Sequence, residues 1–181
     1  MNRRDVLRVA GTAAAALLLC GHTPYGQWVV YRKKHLLIGC HRKDPETYDV
    51  AKAVVAALAS HLPAAKARVA RAPHAGRLAS LLGTEQMDVA VLGPADAAAM
   101  AAGDGPFAAY GPVALRLLTP VDDRLLVAGA AFPDRHAWLV TGALAGSALA
   151  PDPQARREAV LPWHPGARAY LDGRPEPAID P

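Results

Sequence analysis

Three short stretches gather the residue types that do chemistry. One is Gly39-Cys40-His41-Arg42-Lys43 with Thr47-Tyr48 just beyond it. Another is Gly93 to Asp96. The last is Trp163-His164-Pro165-Gly166. In the first stretch an imidazole and two cations precede Asp44-Pro45-Glu46-Thr47, which reads as a helix start. The free N–H groups and positive dipole end at such a start suit a carboxylate. A solvated basic loop is the other reading of His41-Arg42-Lys43. Thr47 and Tyr48 read equally as a cap and a packing aromatic. Cys40 reads as a small buried apolar residue. As a nucleophile it would need a base that the sequence does not identify. His164 has no metal-spaced partner and reads as orienting a turn before the last helix. No Gly-x-Ser-x-Gly, Walker loop, His-Glu-x-x-His or Cys-x-x-Cys occurs. The expectation is therefore a non-enzymatic binding protein with no cofactor and no metal.

The elements that must position these residues alternate. His35 to Gly39 is a short apolar run ending in Gly, which predicts a buried strand. A helix follows from Asp44 to Pro63, with Val50, Val54, Leu58 and Leu62 as its stripe and Ala51 and Val55 widening it. Ala67–Ala72 predicts a strand, His74–Leu82 a helix, Met87–Leu92 a strand and Pro94–Ala102 a helix closed by Gly103. Val113–Leu118 and Arg124–Ala128 predict two more strands. Pro133–Ala145 predicts a helix with Trp138, Leu139 and Leu144 inward. Gly146 to Arg157 reads as a polar linker, Ala159–Pro162 as a last strand and Pro165–Leu171 as a short last helix. The pattern predicts an α/β fold, a mainly parallel sheet with helices on both faces. Ligands of such sheets sit at strand carboxyl ends, here Gly39–Thr47 and Gly93–Asp96.

The 181 residues suffice for one domain with a real core. A hydrophobic fraction of 52% with 20% charged excludes a wholly disordered chain. No apolar run reaches the ~18 residues of a confident membrane span. Residues 1–21 read as a targeting segment: Arg3, Arg4 and Arg8 against Asp5, then a weakly apolar run. Setting that segment aside lowers the net charge from +4 to +2, too mild to argue for nucleic acid as a partner. Arg32-Lys33-Lys34 reads as a solvated or membrane-facing stretch. The division is a leader (1–21), a linker (22–34), a domain (35–172) and a Pro-rich tail (173–181).

Asn2 to Arg8 resembles the twin-arginine export motif, and Leu17-Leu18-Leu19-Cys20 resembles a lipobox in which Cys20 would be lipidated. Leu19 stands where the lipobox has a small residue, so an uncleaved anchor is the other reading. Both resemblances imply a periplasmic domain, held to the inner membrane if the anchor or the lipid is kept.

The order of elements is similar to that of the TAXI-type solute receptors of TRAP transporters. Thr47-Tyr48 stands where that family has a threonine followed by tyrosines. Arg77 to Leu92 looks like its helix, acidic turn and "D-hydrophobic-A" strand. His164-Pro165-Gly166-Ala167 with Tyr170 resembles its C-terminus. The resemblance implies one lobe of a type II periplasmic-binding-protein-like fold, because a short turn between Leu118 and Arg124 replaces a second lobe. It also implies uptake of a small organic anion or amino acid with TRAP membrane subunits. The site residues are then Gly39, Cys40, His41, Thr47, Tyr48, Gly93 and Asp96. Loss of the second lobe leaves a second reading, an interaction module for another periplasmic protein.

Overall fold

A computed structural model of the chain describes residues 34–150 and 159–178. The leader, Cys20 and nearly all of the expected linker lie outside the described residues, as does part of the Gly146–Arg157 stretch.

Strand β1 spans Leu37–His41 and ends two residues beyond Gly39. The expected stop fails because Cys40 and His41 keep pairing with Arg71 and Ala72 of β2 (Arg68–Ala72). Gly39 makes room for close packing instead: a Cβ there would sit 2.3 Å from Met87 Sδ, so the Met87 side chain would have to move. Helix α1 (Pro45–His61) starts as the sequence predicts, with Pro45 in its first turn and the Asp44 side chain accepting the Glu46 N–H at 3.2 Å. Its buried face is Thr47, Ala51, Val54 and Leu58, with Val50, Val55 and Leu62 as half-buried flanks.

Helix α2 (Ala75–Gly83) is capped by the His74 ring, and β3 is Val89–Leu92. Helix α3 (Pro94–Ala102) has the predicted bounds. Gly103 ends it at φ +73°, where a Cβ would meet Pro112 N at 2.5 Å. After a 3₁₀ segment, Gly105–Tyr110, come β4 (Leu115–Val121) and β5 (Arg124–Gly129).

The five strands form one sheet in the order β2-β1-β3-β5-β4. β1 pairs parallel with β2 and β3, but β5 is antiparallel to both β3 and β4. The sheet is therefore mixed, which corrects the expectation of a mainly parallel one. The cause is local: Asp122-Asp123 is a two-residue connection, and so short a link can join only antiparallel neighbours. Asp122 takes φ +51°, a left-handed conformation that Asp tolerates better than most residues.

Side chains alternate across the sheet. Ile38, Cys40, Val89, Val91, Leu118 and Leu126 pack with α1 and with α4 (Asp134–Ala145) on one face. Ala90, Leu92, Leu125 and Val127 pack with α2 and α3 on the other. Helices thus cover both faces, as expected. On α4 the buried side is Ala137, Val140, Thr141, Ala143 and Leu144. Trp138 and Leu139 are half-buried, a correction to the predicted inward set.

Residues 159–162 form no strand. Trp163 makes one parallel bridge to Leu117 through Leu117 N–H to the Pro162 carbonyl (2.9 Å) and His164 N–H to the Leu117 carbonyl (2.8 Å). Pro162 and Pro165 donate no hydrogen bond, so the pairing cannot extend. Helix α5 (Pro165–Leu171) follows with the predicted bounds. His164 Nε2 donates to the Phe132 carbonyl at 2.8 Å while Nδ1 accepts the Gly166 N–H at 3.3 Å. These partners select the neutral Nε2–H tautomer. A Cβ on Gly166 would lie 1.9 Å from the Asp134 carbonyl, so α5 can approach the start of α4 only with glycine there. Trp138 closes the contact edge-on to Tyr170.

Candidate functional site

Because β1 and β3 are parallel neighbours, their carboxyl ends lie side by side and bring together the two stretches singled out by the α/β pattern. His41 is the last residue of β1, and Asp96 lies in the first turn of α3, directly after β3. His41 Nε2 is 3.7 Å from Asp96 Oδ2, too far for a hydrogen bond. The His41 residue is only 5% exposed, and both ring nitrogens are buried without a hydrogen-bond partner. An unsatisfied buried polar atom costs about 1–3 kcal/mol, so this imidazole is a standing demand for a partner. Asp96 is partly exposed, at 39% of its side chain.

Gly93 caps α3 with no side-chain hydrogen bond, and nothing lies within 4 Å of where its Cβ would stand. Of the first backbone positions of α3, Pro94 has no N–H and the Ala97 N–H bonds the Gly93 carbonyl at 2.9 Å, which leaves the Ala95 and Asp96 N–H groups as the free donors. The start of α1 differs. Its own Asp44 caps it, and Arg124, from the first position of β5, reaches across to hold the acids there. Arg124 Nε is 3.5 Å from Asp44 Oδ2, Nη1 is 2.7 Å from Asp123 Oδ2, and Nη2 bonds Glu46. The Arg124 side chain is only 14% exposed. This clamp was not singled out in the sequence, because Arg124 meets Asp44 only once β5 lies beside β3.

The remaining expected site residues divide. Thr47 is buried and braces the β1–α1 loop: its Oγ1 donates to the Asp44 carbonyl at 2.7 Å and lies 3.5 Å from the His41 N–H. Tyr48 sits under the Arg71 guanidinium (4.3 Å) and near Lys52 (4.8 Å), a cation–π stack on the α1 side of the sheet, away from Asp96. Gly39 and Cys40 lie within the ladder and are buried, so they do not line a surface site. Burial pushes the Cys40 thiol up, against a smaller opposing pull from Arg71. That keeps it protonated and a poor nucleophile.

The surroundings of His41 are mixed in charge. Asp96, Asp44 and Glu46 surround the strand tips, while Arg42 and Lys43 are exposed beside them. A separate hollow of about 110 Å³ opens at the opposite end of the sheet, where Glu85, Asp88, Val113 and Phe132 contribute to its lining. It contains none of the expected site residues. Among the described residues no group of three or more His, Cys, Asp or Glu side chains is placed to hold a metal ion, and no helix is long and apolar enough to cross a membrane. No family model, curated protein or solved structure matches the chain.

Proposed function

We propose that this chain is an exported, single-lobe binding protein of the TAXI/TRAP type that holds a small carboxylate-bearing solute at the carboxyl ends of β1 and β3. The observation that carries the reading is the buried, unpartnered imidazole of His41 beside Asp96 at the uncapped start of α3. The free N–H groups there suit the carboxylate. Asp96 repels a second negative charge and attracts an N–H donor. An amino acid therefore fits better than a dicarboxylate. Entry requires the His41 ring to turn, since its nitrogens are closed to solvent.

Thermal melting of the purified full-length chain against amino acids and organic acids tests this. At least one solute raises the melting temperature at millimolar levels, and Asp96→Asn or His41→Phe weakens it about tenfold, or ~1.4 kcal/mol. No shift with any solute removes the reading. Cell fractionation tests export: recovery in the cytosol overturns it.

The Asp122-Asp123 turn favours a second reading. The resemblance puts a second lobe at this point, and two residues cannot supply one. A cleft with one wall binds small molecules weakly unless another molecule supplies the other wall. TRAP membrane subunits or another periplasmic protein are the candidates. Affinity capture from periplasmic membranes that recovers no such subunit counts against them.

A further inference from the structure

The chain treats the two edges of its sheet differently. Along β4, the Leu117 N–H and carbonyl are taken by the Pro162 carbonyl and the His164 N–H. Along β2, no strand lies outside among the described residues. The Arg68 N–H donates to the Leu36 carbonyl at 2.9 Å, and the Ala72 carbonyl accepts the Arg42 N–H at 3.0 Å. Arg68, Ala70 and Ala72 therefore turn their backbone groups to β1, and Val69 and Arg71 turn theirs outward. Those outward N–H and carbonyl groups have no partner among the described residues.

β2 contains no proline, and its register with β1 runs from Arg68 to Ala72 without a shift. What guards this edge is charge. Arg68 and Arg71 are both exposed. Arg68 Nη1 donates to the Ala67 carbonyl at 3.0 Å, Arg71 lies over Tyr48, and neither meets a carboxylate. Asp49, next to Tyr48 in the chain, is already held by Lys52 at 2.9 Å.

We infer that the β2 edge takes up an extended segment of another protein as a sixth strand, with two acidic side chains three residues apart and two apolar residues between them. The backbone of that segment bonds the outward groups of Val69 and Arg71. Side chains alternate along a strand, so Arg68 and Arg71 lie on opposite faces of the sheet. Acids at i and i+3 of the added strand also lie on opposite faces, and each meets one arginine. The two residues between them stand beside Val69 and Ala70. Each of these is half-buried at the margin of one core layer, which favours apolar neighbours.

Charge complementarity selects this occupant. A second copy laid β2 on β2 gathers four arginines with no acid among them, which like-charge repulsion disfavours. The chain's own residues 1–33 carry Arg3, Arg4, Arg8, Arg32 and Lys33 against the single acid Asp5. An anionic membrane answers the arginines but not the backbone groups between them. The inference goes beyond the solute reading and uses none of the His41–Asp96 ledge.

Fluorescence anisotropy with the purified full-length chain tests it. The probe is a short, labelled, end-capped peptide centred on glutamate-valine-valine-glutamate. The peptide binds, and its affinity falls as salt is added. Arg68→Glu with Arg71→Glu weakens binding at least ~tenfold and instead takes the peptide with lysine in place of glutamate. Val69→Pro removes an outward N–H but no bond to β1, and it also weakens binding. Circular dichroism checks that the variants stay folded. An N-methylated form of the peptide makes the same test without altering the chain, and it binds at least ~tenfold more weakly. Hydrogen exchange at the Val69 and Arg71 amides slows when the unmethylated peptide is added. Absence of binding at millimolar peptide, or equal binding of the N-methylated form, overturns the inference. So does equal binding of a polyglutamate peptide, or binding to anionic lipid vesicles that Val69→Pro leaves unchanged while the peptide fails. A self-association that Val69→Pro abolishes gives the edge to a second copy and overturns it as well.

Discussion

His164 and His41 show how differently one residue type is used in this molecule. Both are buried, but His164 has a donor task and an acceptor task, each satisfied by backbone, whereas neither ring nitrogen of His41 has a hydrogen-bond partner. Burial pushes the His164 pKa below the ordinary 6.5, outweighing the upward pulls of the Phe132 carbonyl and Asp134. The unfolded chain then takes up a proton before the folded one as pH falls. The stability contributed by neutral His164 is complete above the unfolded value and declines as pH drops from there toward the folded value. The slope is at most about 1.4 kcal/mol per pH unit. Chemical denaturation at stepped pH reads this slope. In His164→Asn, whose side chain still caps α5, the slope from this residue disappears. An unchanged slope would show that another group sets it.

At the scale of elements, the start of α1 is fastened to β5 by Arg124. The Arg124 side chain is largely buried, whereas those of Glu46 and Asp123 are exposed. Exposed pairs contribute ~0–1 kcal/mol, and removing one partner of a buried pair costs several times that. Arg124→Met is therefore expected to lower unfolding stability by about 1–2 kcal/mol, between those limits. A double-mutant cycle with Asp44→Asn should return a coupling of about 1 kcal/mol. A coupling indistinguishable from zero would mean that the cluster is only a surface arrangement. The clamp also matters for the site, because the loop it steadies carries the Thr47 brace that lies against the His41 backbone.

On the scale of the whole molecule, one mixed sheet with helices on both faces supplies two apolar layers, and neither draws on the β4–β5 turn itself. The turn is a boundary of the core, and lengthening it should leave the core intact. A Gly/Ser insertion of about ten residues between Asp122 and Asp123 adds loop entropy of only about 1–2 kcal/mol. A single cooperative melt with that modest loss is expected. Loss of folding would show that the tight hairpin is needed for β5 to take its place between β3 and β4. The same turn bounds the proposed cleft, so the insertion also reports whether the face tolerates a longer wall.

Helix starts and stops were legible in the chain because they are written in local chemistry. Asp44-Pro45, His74, Pro94 with Gly103, and His164-Pro165 sit at or beside the observed ends. The pairing of His41 with Asp96 was foreseeable in part, since strand carboxyl ends gather in any parallel segment of an α/β sheet. The reversal of β5 follows from a turn that only the structure shows to be two residues long, because β4 runs on to Val121, past the Leu118 end predicted for it. Three further features came from tertiary structure alone. Gly39 and Cys40 leave the site, and the buried reading of Cys40 holds, because the β1–β2 ladder continues past the glycine. Tyr48 is lost from the site because Arg71 of the neighbouring strand covers it. Arg124 enters because β5 inserts beside β3. Each depends on which strand lies next to which, and contacts between residues distant along the chain leave no periodicity or spacing for a sequence to display.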